Sequence, residues 1–117
     1  MTTYEQAIKT AEILDKKLGH NIKVIEITDV SSLADYMVIA NGNSSTQVKA
    51  LADEVEYKLE EMGISVSHIE GYRSNSWILL DYVDVIVHIF DKEARDFYDL
   101  ERLWQDGKEV DLTGIID

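Results

Sequence analysis

The chain has 117 residues with no cysteine and no proline, and its 23 acidic side chains against 11 basic ones give a formal net charge of −12. That length suits one domain with its own core, and the lack of cysteine excludes disulfides, thiolate zinc sites and a thiol nucleophile. The acidity disfavours direct binding to nucleic acid or to an anionic membrane, both of which call for concentrated Lys and Arg.

Thr3 is placed to cap a first helix, with Gln6 as the reciprocal partner of a capping box. Tyr4, Ala7, Ile8, Ala11, Leu14 and Leu18 follow at helical spacing, and Gly19 is placed to end the helix. Ile22 to Ile27 is rich in β-branched residues and predicts a strand. Asp29, Ser31 and Ser32 supply a turn, and Ala34 to Ala40 reads as a second strand. Ser44 opens a second helix with the apolar stripe Val48, Leu51, Ala52, Val55, Leu59 and Met62, closed by Gly63. Ile64 to Glu70 alternates at its start like a half-buried strand. Trp77 to Asp81 and Asp84 to Phe90 are strongly apolar and separated by Tyr82-Val83, which predicts a tight antiparallel hairpin. Asp91 can cap a last helix running from Lys92 to about Trp104, with Ala94, Phe97, Leu100 and Trp104 inward. Residues 105–117 predict a loose or strand-like tail.

The expected order is α-β-β-α-β-β-β-α over residues 1–117, a single-domain α/β fold with a mixed five-stranded sheet. No apolar run reaches the roughly 20 residues of a membrane span, and the first residues lack the pattern of a secretion signal. A soluble, cytoplasmic protein is expected. The acid concentrates in residues 51–63, which carry −4, and in residues 91–117, which carry −5.

The hairpin raises a packing question. Alternation puts Trp77, Leu79 and Asp81 on one side of the fourth strand and Ile78, Leu80 and Tyr82 on the other. Both sides of the hairpin are apolar, so both need cover. Three helices cover one face of a five-stranded sheet well but scarcely two. Some apolar surface around Trp77 is then left for another protein, unless the last helix buries it.

Candidate chemistry is sparse. Asn41-Gly42-Asn43-Ser44-Ser45 leads into a helix N-terminus but lacks the spacing of nucleotide-binding loops, so a turn and an N-cap is its ordinary role. His68, Glu70 and His88 could meet on neighbouring strands around a metal. Asp81 and Asp84 flank the hairpin turn as a carboxylate pair. These residues frame an alternative, a metal-dependent nucleotidyltransferase or phosphohydrolase using Asp81, Asp84, His68 and His88. None of them amounts to an enzyme signature, and no cofactor is implied.

Several long motifs stand together in order. They are Asp29-Val30-Ser31-Ser32-Leu33-Ala34-Asp35-Tyr36, Asn41-Gly42-Asn43-Ser44, His68-Ile69-Glu70-Gly71, the run from Trp77 to Phe90, and Arg95 to Trp104. From Tyr4 to Trp104 the chain resembles the ribosomal silencing factor family, RsfS or Iojap-like. The resemblance implies a nucleotidyltransferase-like fold without catalysis. It also implies binding to the large ribosomal subunit through its fourteenth ribosomal protein, which blocks subunit joining and represses translation. On that reading Trp77 and Leu79 anchor in the partner, with Tyr72 and Tyr82 nearby, and Asp81, Asp99 and Glu101 meet its Lys and Arg. The exposed sheet face could also pair two free copies. The family commonly has Gly where this chain has Val83. Valine resists positive φ, so a turn that avoids it, or a longer one, is expected.

Overall fold

The computed structural model describes residues 1–72 and 76–116. Helix α1 (Thr3–Lys16) begins one residue before the sequence expectation. Thr2 is its cap, not Thr3: the Thr2 hydroxyl accepts from the Glu5 N–H at 3.1 Å, and the Glu5 carboxylate accepts from the Thr2 N–H at 2.8 Å. This is the reciprocal pairing of a capping box. Its buried stripe is Ala7, Thr10, Ala11, Ile13 and Leu14. The expected Leu18 is instead 73% exposed and takes the left-handed position after the helix, with φ 66°. Leu18 N–H donates to Asp15 and Gly19 N–H to Leu14, so the glycine stands one position beyond the left-handed residue.

Helix α2 (Ser45–Glu61) matches its expected bounds closely. The Ser44 hydroxyl accepts from the Gln47 N–H, and Gly63 takes the left-handed position at φ 84°. The Gln47 side chain bonds the Asn43 N–H and the Leu18 carbonyl, tying the start of α2 to the end of α1.

The strands are β1 (His20–Glu26), β2 (Tyr36–Gly42), β3 (His68–Glu70), β4 (Trp77–Asp81), β5 (Val85–Asp91) and β6 (Lys108–Glu109). Among the described residues they form one mixed sheet in the order β3-β4-β5-β2-β1-β6, in which only the β2–β5 pair is parallel. The sheet therefore has six strands rather than the expected five. The extra one comes from the tail, where Lys108 and Glu109 pair with Glu26 and Ile25 and the Val110 N–H donates to the Val24 carbonyl. The expected strand over 64–70 narrows to its last three residues, although Ile64 and Val66 still pack on the core.

The β4–β5 hairpin is antiparallel, as expected, with Asp81 opposite Ile86. Its turn is not of the expected kind. Val83 has φ 74°, and the Asp84 N–H donates to the Tyr82 carbonyl at 2.9 Å across it.

The last helical segment also differs. It divides into α3 (Lys92–Tyr98), capped by Asp91 through the Ala94 N–H, and the single turn α4 (Leu100–Leu103). The break is Asp99, left-handed at φ 47°. Leu100 and Trp104 turn inward, whereas Phe97, expected inside, is 79% exposed.

Two cores result. The larger lies between α1, α2 and one sheet face, built on Leu14, Val38, Leu51, Val55, Leu59, Ile78, Leu80, Val87 and Ile89. The smaller lies on the opposite face, where Ile25, Ile27, Met37, Ile39 and Phe90 meet Leu100, with Trp77, Ile86, Ala94 and Trp104 at its margin. Only short elements lie over this second face, and they cover it in part.

Candidate functional site

Strand register assembles the site. Residues paired across a sheet point to the same face. Trp77 stands opposite Phe90, Leu79 lies between Glu70 and His88, and Asp81 lies between His68 and Ile86. All of these side chains lie on the face that α1 and α2 do not cover. Trp77 and Leu79 are half-buried there, and a cleft of about 380 Å³ lies over them, lined also by Glu70, Gly71, Ser76 and Tyr98. Gly71 has φ 76°, and a side-chain carbon there would overlap the Trp77 carbonyl, so glycine lets the incoming chain pass this close to the start of β4.

Trp77 is held by its neighbours. Its ring lies 5.1 Å from Phe90 in a stacked arrangement and 4.5 Å from Tyr98, which reaches over from the end of α3. Its indole Nε1–H donates to His88 Nδ1 at 3.0 Å. His88 is only 5% exposed, and burial lowers its pKa to about 4. A charged imidazolium would lose its hydration here, so the ring stays neutral near pH 7.

The remaining candidates distribute unevenly. Tyr82 lies on the opposite face, buried in the larger core. Its hydroxyl has no hydrogen-bond partner among the described residues, and burial, with the charges of Glu56 and Glu60, raises its pKa. Tyr72 donates from its hydroxyl to the Asp53 carboxylate of α2 at 2.8 Å, which raises its pKa, and Lys49 sits over its ring. It thus reaches toward α2. Asp81 is half-buried beside Leu79 and accepts from the Val83 N–H at 2.8 Å. Asp99 is exposed at the α3–α4 break. Glu101 bonds Arg95 at 3.1 Å and lies 3.8 Å from Lys23. Arg95, almost fully buried, also donates to Asn41 Oδ1 at 2.9 Å, so it clips α3 and α4 to the sheet.

Of the residues of the enzymatic alternative only His68 and Asp81 stand opposite each other, across β3 and β4, and the four do not converge as a set. His88 is committed to Trp77, His68 lies 3.3 Å from Glu70, and Asp84 is exposed in the turn, where its carbonyl accepts from Asp35 and Tyr36. Among the described residues no three His, Asp or Glu side chains are grouped to hold a metal ion. Nor, among them, is any helix long and apolar enough to cross a membrane.

Sequence reasoning missed Tyr98 and His88 as neighbours of Trp77. The pairing of Leu79 with His88 was available in principle from the hairpin register. Tyr98 approaches Trp77 from the last position of α3, and no helix-breaking residue signals that the helix ends there.

Comparison with known proteins bears on these features. The family described as "Ribosomal silencing factor during starvation", RsfS, matches residues 1–117. The ribosomal silencing factor RsfS of Halalkalibacterium halodurans is 36% identical over 116 residues, covering 99% of both chains. A crystal structure of a Chromobacterium violaceum protein is 38% identical and superimposes with a TM-score of 0.87 over 90% of this chain and 88% of that one. More distantly, the mouse protein named "Mitochondrial assembly of ribosomal large subunit protein 1" is 28% identical over 95 residues, covering 79% of this chain and 42% of its own length. With its full length matched by the family, and a relative of this similarity from end to end, the chain belongs to the ribosomal silencing factor family RsfS.

Proposed function

We propose that this chain represses translation by docking on the large ribosomal subunit, with no chemical turnover, and so keeps the small subunit from joining. The docking partner is the fourteenth large-subunit ribosomal protein. The observation that carries this reading is the strip of Trp77 and Leu79, left half-open on the sheet face that the two long helices do not cover. Membership of the silencing family and the name of the mouse relative support the choice of the large subunit. A desolvated aromatic anchor of this kind can contribute ~2 kcal/mol or more to binding, while rim charges mainly set on-rate and salt dependence. Asp81 and Asp99 are the rim acids best placed to meet a basic partner. Glu101 is already engaged by Arg95 and Lys23. Tyr72 and Tyr82 contribute from behind the hairpin, by holding it against α2. Two free copies would pair across the same strip, and a strict monomer in sedimentation at high concentration would remove that dimer.

The test is a sucrose gradient of separated ribosomal subunits mixed with the protein. Co-migration with the large subunit and loss of the joined particle are expected. Trp77→Ala should abolish co-migration while its circular dichroism stays that of the parent. Binding that persists in this variant, or a variant that unfolds, would remove Trp77 as the anchor. The enzymatic alternative is not favoured, since beyond the His68–Asp81 pair its histidines and aspartates do not assemble.

A further inference from the structure

The polar edge of Trp77 faces inward. Its single N–H, the one hydrogen-bonding group an indole has, is spent on His88 Nδ1 at 3.0 Å. Because an indole N–H can only donate, Nδ1 must be bare and the histidine proton must sit on Nε2. The imidazole is itself held: it lies between Leu79 and Ile39 across the strands and is stacked with Phe90 at an interplanar angle of 9°. The indole is therefore fixed at two places, by the Phe90 ring and by the His88 acceptor.

We infer that His88 is a positioning residue for the Trp77 anchor, and that with its N–H satisfied internally the anchor offers a partner only carbon and π surface. The inference rests on the docking role proposed above. It deepens that role in two ways. The anchor is pre-set in one rotamer, so little side-chain freedom is lost on docking. In addition, the complementary group on the partner is an aliphatic side chain or the stem and head of a Lys or Arg lying on the indole, not a carbonyl or carboxylate seeking its N–H. The acids that border the strip, Glu70 and Asp81, favour the cationic version of that group.

The experiment compares the wild type with His88→Asn and His88→Leu, using the full chain. Asparagine carries an oxygen close to the place of Nδ1, and leucine carries no acceptor. Two readouts are taken: the indole N–H signal of Trp77 in a nitrogen–proton correlation spectrum, distinguished from that of Trp104 with Trp104→Phe, and co-sedimentation with large subunits. The expected result is a displaced Trp77 indole signal and roughly tenfold weaker co-sedimentation for leucine, a loss of ~1.4 kcal/mol, with both properties largely restored by asparagine. Wild-type binding by the leucine variant, or equal loss in both variants, would overturn the inference while leaving the docking role standing. Failure of the wild type to bind large subunits would remove the docking role and this inference with it. Should the leucine variant not fold, hydrogen exchange of the Trp77 indole N–H in the wild type decides: marked protection relative to a free indole supports the bond, and unprotected exchange overturns it.

Discussion

Val83 adopts a backbone conformation that its side chain resists. The register of β4 and β5 leaves only Val83 and Asp84 to reverse the chain, with the Tyr82 N–H closing on the Val85 carbonyl at 3.0 Å. Two-residue hairpin turns whose twist suits the flanking strands need φ > 0 at their first central position, and Val83 occupies it at 74°. The Asp81 carboxylate, accepting from the Val83 N–H, helps hold the turn. A non-glycine residue in such a region costs on the order of 1–3 kcal/mol. Val83→Gly should therefore stabilise the fold by ~1 kcal/mol after the entropy that glycine adds to the unfolded chain, seen as a higher urea midpoint; an unchanged or lower midpoint would show the turn to be unstrained. His88 supports a second prediction. Its folded pKa of about 4 lies below the ordinary 6.5, so between these values the unfolded chain binds a proton that the folded chain does not. The contribution to stability is complete above pH ~6.5 and is lost as pH falls toward ~4, at most about 3 kcal/mol over that window. Urea midpoints of the wild type should fall more steeply across this range than those of His88→Asn, and parallel curves would exclude His88 as the cause. At this scale the sequence showed that a valine at the turn was anomalous. It did not show which way the conflict resolved, because strand register outweighs one residue's preference.

The long helices and the short ones differ in how far they were legible. In α1 and α2 a polar cap, a 3.6-residue apolar stripe and a left-handed closing turn all lie within the segment, so local chemistry determines them to within one or two residues. The last helical segment has the same kind of start, an Asp91 cap, and the spacing of Phe97, Leu100 and Trp104 suggests one continuous inward stripe. The break at Asp99 turns α4 relative to α3: Leu100 and Trp104 pack inward while Phe97 is left outside and Tyr98 meets Trp77. A helix of seven residues has little stability of its own and depends on its cap and on packing. Asp91→Ala removes the bond to the Ala94 N–H and should cost ~1 kcal/mol, read as a lower denaturation midpoint. Because α3 carries Tyr98, the same variant should also move the Trp77 indole resonance. A midpoint equal to the parent's would mean that the Arg95 and Glu101 bonds and the packing of Leu100 hold this segment without the cap.

For the whole molecule, the placement of charge matters more than its sum. Residues 51–63, with −4, belong largely to α2, whose exposed acids face away from the sheet, on the side opposite Trp77. The acid near the half-open face is instead that of Glu70, Asp81 and the α3–α4 segment. The first group contributes a long-range field, and the second borders the proposed contact. At an ionic strength of about 0.1 M the Debye length is about 10 Å and it shortens as salt is added. Binding to large subunits should therefore weaken several-fold as salt rises several-fold above that level, mainly through a slower on-rate. Salt-independent association would mean that the acidic rim has no part in it. The sequence by itself determined that one α/β domain forms, with two capped amphipathic helices and a hairpin apolar on both sides, because these depend on neighbours a few residues apart. Only the tertiary structure decided that a sixth strand is recruited from the tail, that Tyr82 is buried in the larger core while Trp77 stays half-open, and that His88 serves an indole rather than a metal. Those outcomes depend on register and on contacts between residues far apart in the chain, where the free energy of packing, not local preference, selects the arrangement.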